Sequence, residues 1–136
     1  MKTGIIAIAI FCACSAFKFD VHPDIAKSWA EMATPYMEEC SVETNVNIKA
    51  GYAGILSMNF PDTHEYHCLG ECVSRRWGFY DQETKAFDYQ RIEDHIVGFS
   101  KEVTKECVQE YNHIEDDCEK VFSVINCVAG KISKHY

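Results

Sequence analysis

What the sequence lacks narrows its function first. It contains no G-x-S-x-G, no H-E-x-x-H, no P-loop and no glycine-rich dinucleotide fingerprint, so the chemistries those motifs support have no residues to carry them. No histidine adjoins a paired Cys-Cys and no calcium loop is present, which removes the secreted helical phospholipases. No N-x-S/T sequon occurs, and no Asn-Gly or Asp-Gly pair separates alternating runs, so hairpin signals are weak. Positive charge is in deficit, with 13 Lys+Arg against 21 Asp+Glu. An acidic chain repels nucleic acid and anionic headgroups, so neither nucleic acid nor membrane is expected as a partner. Charges interrupt every apolar run after Phe17, whereas a membrane-spanning helix takes about 20 apolar residues. There is no repeat, low-complexity tract or internal linker.

The first residues read as a secretory signal peptide. Lys2 supplies the positive region, Gly4 to Cys14 is almost wholly apolar, and small residues follow at Ala13, Ser15 and Ala16. Cleavage is expected after Ser15 or Ala16, giving residues 1–16 as leader and 17–136 as one extracellular domain. Removing 16 of 136 residues leaves 120, and with Lys2 gone 12 basic residues face 21 acidic ones, a net charge of −9. Dispersed acidity of this kind keeps a protein soluble.

Eight cysteines are present, and Cys12 and Cys14 leave with the leader. The remaining six, Cys40, Cys68, Cys72, Cys107, Cys118 and Cys127, are spaced C-x27-C-x3-C-x34-C-x10-C-x8-C. An even count in a small secreted domain reads as a disulfide framework, with about 15 possible connectivities. Cys68 and Cys72 lie four apart on one face of an expected helix, so each should reach a different element. The same holds less strictly for Cys118 and Cys127. A zinc site using Cys with His64 and His67 is the rival, but the later gaps do not give a second close pair. No metal and no cofactor is expected.

Apolar periodicity predicts six helices. The first runs from about Pro23 to Glu39, with Ile25, Trp29, Met32, Ala33 and Tyr36 on one face and Pro35 expected to kink or split it. The second spans about Ile48 to Ser57 behind an Asn47 cap, weakened by Gly51 and Gly54. Asp62 with Glu65 reads as a capping box opening the third, whose inner stripe is Leu69, Cys72, Val73 and Trp77 and whose stop is Gly78. After a polar turn over 81–85, the fourth covers about Asp88 to Val97. Ser100 caps the fifth, which runs to about Asn112. Asp116 caps the sixth, which Gly130 ends. The fold class is all-α.

Histidines form no triad. His64 and His67 read as helix surface, with a pH sensor as the sharper alternative. The aromatics Trp29, Tyr36, Trp77, Phe79, Phe87, Phe99 and Phe122 fall on or beside inner faces. A disulfide-braced helical shell tolerates an apolar hollow that packing would otherwise fill, and such a hollow is the usual small-ligand site.

The six-cysteine spacing resembles the insect odorant-binding and pheromone-binding protein family, whose mark is three residues between the second and third cysteines and eight between the fifth and sixth. Asn59-Phe60-Pro61-Asp62 and Cys118-Glu119-Lys120-Val121-Phe122 add to the likeness. The resemblance implies the pairing Cys40–Cys72, Cys68–Cys118 and Cys107–Cys127 and a helical basket around a central apolar cavity. It implies a non-enzymatic carrier of small hydrophobic semiochemicals, with ligand-facing positions at Tyr36, Leu56, Trp77, Phe79, Phe87, Ile92, Ile96, Phe99, Phe122 and Ile125. Ser74 offers a polar contact to an alcohol or carbonyl. A chemosensory receptor and a second copy of the chain are the macromolecular partners this leaves open. Only nine residues follow Cys127, too few for the extra C-terminal helix of long-tailed pheromone carriers. Ile132 to Tyr136 then remain as a lid, with His135 as a pH-sensitive contact. The competing readings are the same carrier in venom, saliva or reproductive fluid, and a surface-acting toxin or inhibitor with a filled core.

Overall fold

The computed structural model describes residues 16–133, so the expected leader, except for Ala16, and His135 lie outside it. In chain order the elements are β1 (Ala16–Lys18), α1 (Pro23–Thr44), α2 (Ile48–Ser57), β2 (Asn59–Pro61), α3 (His64–Trp77), β3 (Tyr80–Asp81), β4 (Ala86–Phe87), α4 (Tyr89–His95), α5 (Lys101–Tyr111) and α6 (Asp117–Ile132). The fold is all-α, with two short antiparallel pairs added. β1 pairs with β2, Phe17 opposite Phe60, and β3 pairs with β4, Tyr80 opposite Phe87. Strand propensity alone gives no sign of the first pair, because its partners lie more than 40 residues apart.

Local capping explains most helix starts. Asn47, Ser100 and Asp116 each accept hydrogen bonds from first-turn amides with their side chains. At α3 the cap is Thr63 rather than Asp62. Thr63 adopts an extended backbone and its hydroxyl accepts from the Tyr66 amide, while Asp62 turns instead toward His67. Gly78 closes α3 in the left-handed conformation, at φ 81°.

Two expected breaks do not occur. α1 continues through Pro35 to Thr44. Pro35 is exposed, so water can satisfy the carbonyl it orphans, and the buried face continues beyond it through Met37 and Cys40. The helix stops where Asn45, at φ 60°, turns its amide back onto Ser41 and Val42. Likewise α6 runs past Gly130 to Ile132, because Val128 and Ala129 are fully buried and Ile132 packs over Gly98.

α3 and α6 pack most extensively, with α1 against α2 and α3, and α5 against α6. Three disulfides fasten these pairs. Cys40–Cys72 joins α1 to α3, Cys68–Cys118 joins α3 to the start of α6, and Cys107–Cys127 joins α5 to α6. Beside the first, Arg75 and Arg76 of α3 reach Glu43 of α1 at 2.6 and 2.9 Å, and Arg75 also binds the buried Glu71 at 3.0 Å. The hydrogen bond from Arg76 outweighs the opposing pull of partial burial and, with a further hydrogen bond from Arg75, holds the Glu43 carboxyl below its usual range. No helix among the described residues is long and apolar enough to cross a membrane.

Candidate ligand-binding site

The apolar stripes of the helices converge on a cavity. α1 contributes Trp29, Met32, Ala33 and Met37. α3 contributes Tyr66, Leu69, Gly70, Val73 and Ser74. α6 adds Phe122 and Ile125, α2 and β2 add Ile55 and Phe60, and the segment joining α4 to α5 adds Ile96 and Phe99. The cavity holds about 110 Å³ and opens to solvent through a mouth. An apolar cavity of about 150 Å³ stays dry and accepts benzene, so this one approaches the size that takes a single small ring.

Aromatic contacts fix the wall. Trp29 meets Phe99 edge to face at 5.5 Å and donates its indole N–H to the Val97 carbonyl at 2.8 Å. Phe60, Tyr66 and Phe122 form a trio with centroids 6.1 to 6.2 Å apart. Two hydroxyls interrupt the apolar surface. Tyr66 Oη is 3.5 Å from the Gly51 carbonyl, and burial pushes its phenol well above the usual range, so it stays neutral. The Ser74 hydroxyl has no partner among the described residues.

Behind Phe122 lies a polar cluster. His67 is 93 % buried with its Nδ1 2.9 Å from Glu119 and its Nε2 3.1 Å from Asp62. The exposed His64 shares Glu119 at 2.9 Å. That hydrogen bond raises the His64 pKa. Partial burial pulls the Glu119 carboxyl up, but the hydrogen bonds from His67 and His64 outweigh it and hold it below its usual range. His64 is therefore surface, as its sequence context suggests, and His67 is not. His64, Asp116 and Glu119 place ligand-type atoms within 4.8 Å of one another. The nearby Cys68 and Cys118 are consumed by their disulfide.

The cysteine framework, the six helices and the apolar cavity agree with one comparison. A family model described as the PBP/GOBP family matches residues 24–131. The chain belongs to that family. Neither the curated proteins nor the solved structures include a match to it. PBP/GOBP members are carriers of small hydrophobic ligands rather than enzymes, and the three disulfides fit their six-cysteine insect type.

Within this PBP/GOBP basket, the structure distributes the positions named from sequence unevenly. Ser74, Ile96, Phe99, Phe122 and Ile125 line the cavity. Leu56 does not: it is 53 % exposed, one position past the inward-facing Ile55 on α2. Tyr36, Trp77 and Phe79 form a plug beside the cavity instead. Trp77 stacks on Phe79 at 5.5 Å, meets Tyr36 edge to face at 5.8 Å, and donates its indole N–H to the carbonyl of Met32, itself a lining residue. Phe87 packs on Tyr80 in the β3–β4 hairpin, and Ile92 is buried in the core. The lining residues absent from the sequence list had a signal. Trp29, Ala33 and Met37 recur every four residues, and Tyr66, Leu69 and Val73 follow i, i+3, i+7. Ile132 belongs to α6 and Ser133 bonds the Asp20 amide at 2.9 Å, while the remainder of the expected lid lies outside the described residues.

Proposed function

We propose that the protein is a secreted carrier that takes up odorants, pheromones or similar semiochemicals in its cavity and delivers them to chemosensory receptors. Residues 1–16 act as the leader and 17–136 as the mature domain. The observation that carries this reading is an apolar cavity walled by fifteen residues, with Ser74 the one lining hydroxyl without a partner among the described residues. Binding follows from removing apolar ligand surface from water, at about 25 cal/mol per Å² before ordering costs. Ser74, Ile96, Phe99, Phe122 and Ile125, joined by Trp29, Met37 and Tyr66, make the direct contacts. Tyr36, Trp77, Phe79, Phe87 and Ile92 support that wall from behind. The cavity weighs against a surface-acting toxin with a filled core.

The test is displacement of an apolar fluorescent probe from the oxidised mature protein. Saturable uptake, reversed by volatile apolar compounds, is the expected result. A folded, fully disulfide-bonded protein that takes up no probe would overturn the reading.

A further inference from the structure

Tyr66 borders two spaces. Its ring belongs to the cavity wall, and it also borders an outer groove formed by Asn45, Val46 and Ala50 on one side and Pro61, Thr63 and Glu65 on the other. The groove is the more open of the two spaces.

The ring is held by shape more than by hydrogen bonding. It stacks on Phe60 at 28° and meets Phe122 edge on at 88°. Its hydroxyl is 3.5 Å from the Gly51 carbonyl, at the outer limit of a hydrogen bond. The tip fits a notch in α2 left by a missing side chain, because a Cβ on Gly54 would stand 2.7 Å from that hydroxyl. Gly54, which weakens α2 as a helix, is thus what lets Tyr66 reach across and close the cavity.

We propose that Tyr66 is a specificity-determining partition, closing the cavity toward the outer groove and setting the longest ligand the protein retains. This deepens the carrier reading and rests on it. Compact neutral molecules fit without moving the ring. A longer chain must turn it aside and emerge beside Asn45, Thr63 and Glu65, where the Glu65 carboxylate accepts an alcohol end and repels a fatty-acid carboxylate.

Calorimetric titration of the oxidised protein with straight-chain primary alcohols, hexanol to hexadecanol, tests this. Affinity of the wild type should rise about fourfold per methylene while chain fits the cavity, then fall at a cut-off. Tyr66→Leu, which keeps apolar packing, and Tyr66→Ala should both move the cut-off to longer alcohols, and Tyr66→Phe should leave it in place. The same cut-off in all four proteins would overturn the proposal, as would Tyr66→Phe moving it as far as Tyr66→Leu. Should the smaller replacements fail to fold, a crystal structure of the wild type with dodecanol answers the question. A ring turned aside with the chain emerging beside Thr63 supports the partition, and an unmoved ring with the chain leaving elsewhere refutes it. Folded wild type that binds none of the alcohols would instead sink the carrier reading, an outcome distinct from binding with an unmoved cut-off.

Discussion

The imidazole of His67 lies face to face with the ring of Phe122, centroids 3.9 Å apart and planes 15° from parallel. Phe122 also lines the cavity, and His67 is held from behind through the hydrogen bond between its Nδ1 and Glu119, with the Asp62 carboxylate 3.1 Å from Nε2. The cavity wall is thus backed by a polar brace rather than by more hydrocarbon. Replacing His67 with Ala removes the brace and leaves Glu119 with a half-buried carboxylate short of a donor. The expected loss is about 1–3 kcal/mol of stability, read by urea denaturation, together with weaker probe binding. Unchanged binding would show that Phe122 holds its place without the imidazole.

The same cluster gives stability a dependence on pH. His64 has a raised pKa, so its contribution is fully present below its ordinary value of 6.5 and is lost as pH rises through the folded value. Glu119 has a lowered pKa, so its contribution is present above its ordinary value of 4.5 and is lost as pH falls through the folded value. Both operate together between about pH 4.5 and 6.5, where this pair stabilises most. The swing is small because His64 is open to solvent. Melting temperature measured from pH 4 to 8 should lose part of its curvature in Glu119→Gln, in a region also facing Asp62, Glu65 and Asp116. A wild-type and variant pair with superimposable profiles would disprove the assignment.

Gly54 and Tyr66 should couple. Alanine at 54 improves helix propensity by about 0.5–1 kcal/mol, yet its Cβ collides with a buried phenol and meets Pro61 at 3.1 Å. Gly54→Ala is therefore expected to destabilise by about 1–3 kcal/mol. In a Tyr66→Phe background the closest contact is gone, and part of the loss should be recovered. A double-mutant cycle measures this, and simple additivity would show that the hydroxyl is not what the added methyl strikes.

Ser74→Ala should separate ligands by chemistry. Removing the one unpartnered hydroxyl at the wall is expected to cost about 0.5–1.5 kcal/mol, roughly two- to twelvefold, for alcohols and carbonyl compounds. Hydrocarbons of the same size should bind as before. Equal loss for both classes would assign Ser74 a packing role.

The two larger disulfide loops should matter more than the smaller one. Replacing Cys68 and Cys118, 50 residues apart, by serine should cost about 4 kcal/mol, and replacing Cys107 and Cys127, 20 apart, about 3 kcal/mol. Guanidinium denaturation gives the order, and its reversal would point to packing at α5–α6 rather than chain entropy.

Much of this architecture was legible because its causes are local. Ser100, Asp116 and Asn47 cap helices with their own side chains, and the one-faced stripes of α1, α3 and α6 identify the inside. A stripe does not say which inward residues border a hollow and which fill the core. Trp77 and Phe79 face inward yet stack on each other, and Leu56 sits one position from the face that matters. Thr63 rather than Asp62 caps α3, and the Asp62 carboxylate lies 3.1 Å from His67, a proximity that a capping pattern does not weigh. The β1–β2 pair and the His67–Glu119 link join residues far apart in sequence, and periodicity carries no information about such pairs.

The bridges overlap: the segment from Cys40 to Cys72 runs into that from Cys68 to Cys118, which runs into that from Cys107 to Cys127. Every peptide bond between Cys40 and Cys127 is thus spanned by at least one of them. A protease that nicks the exposed 81–86 turn, or any other loop in that interval, severs the chain without releasing a fragment. In a fluid that contains proteases, the basket outlasts its own backbone.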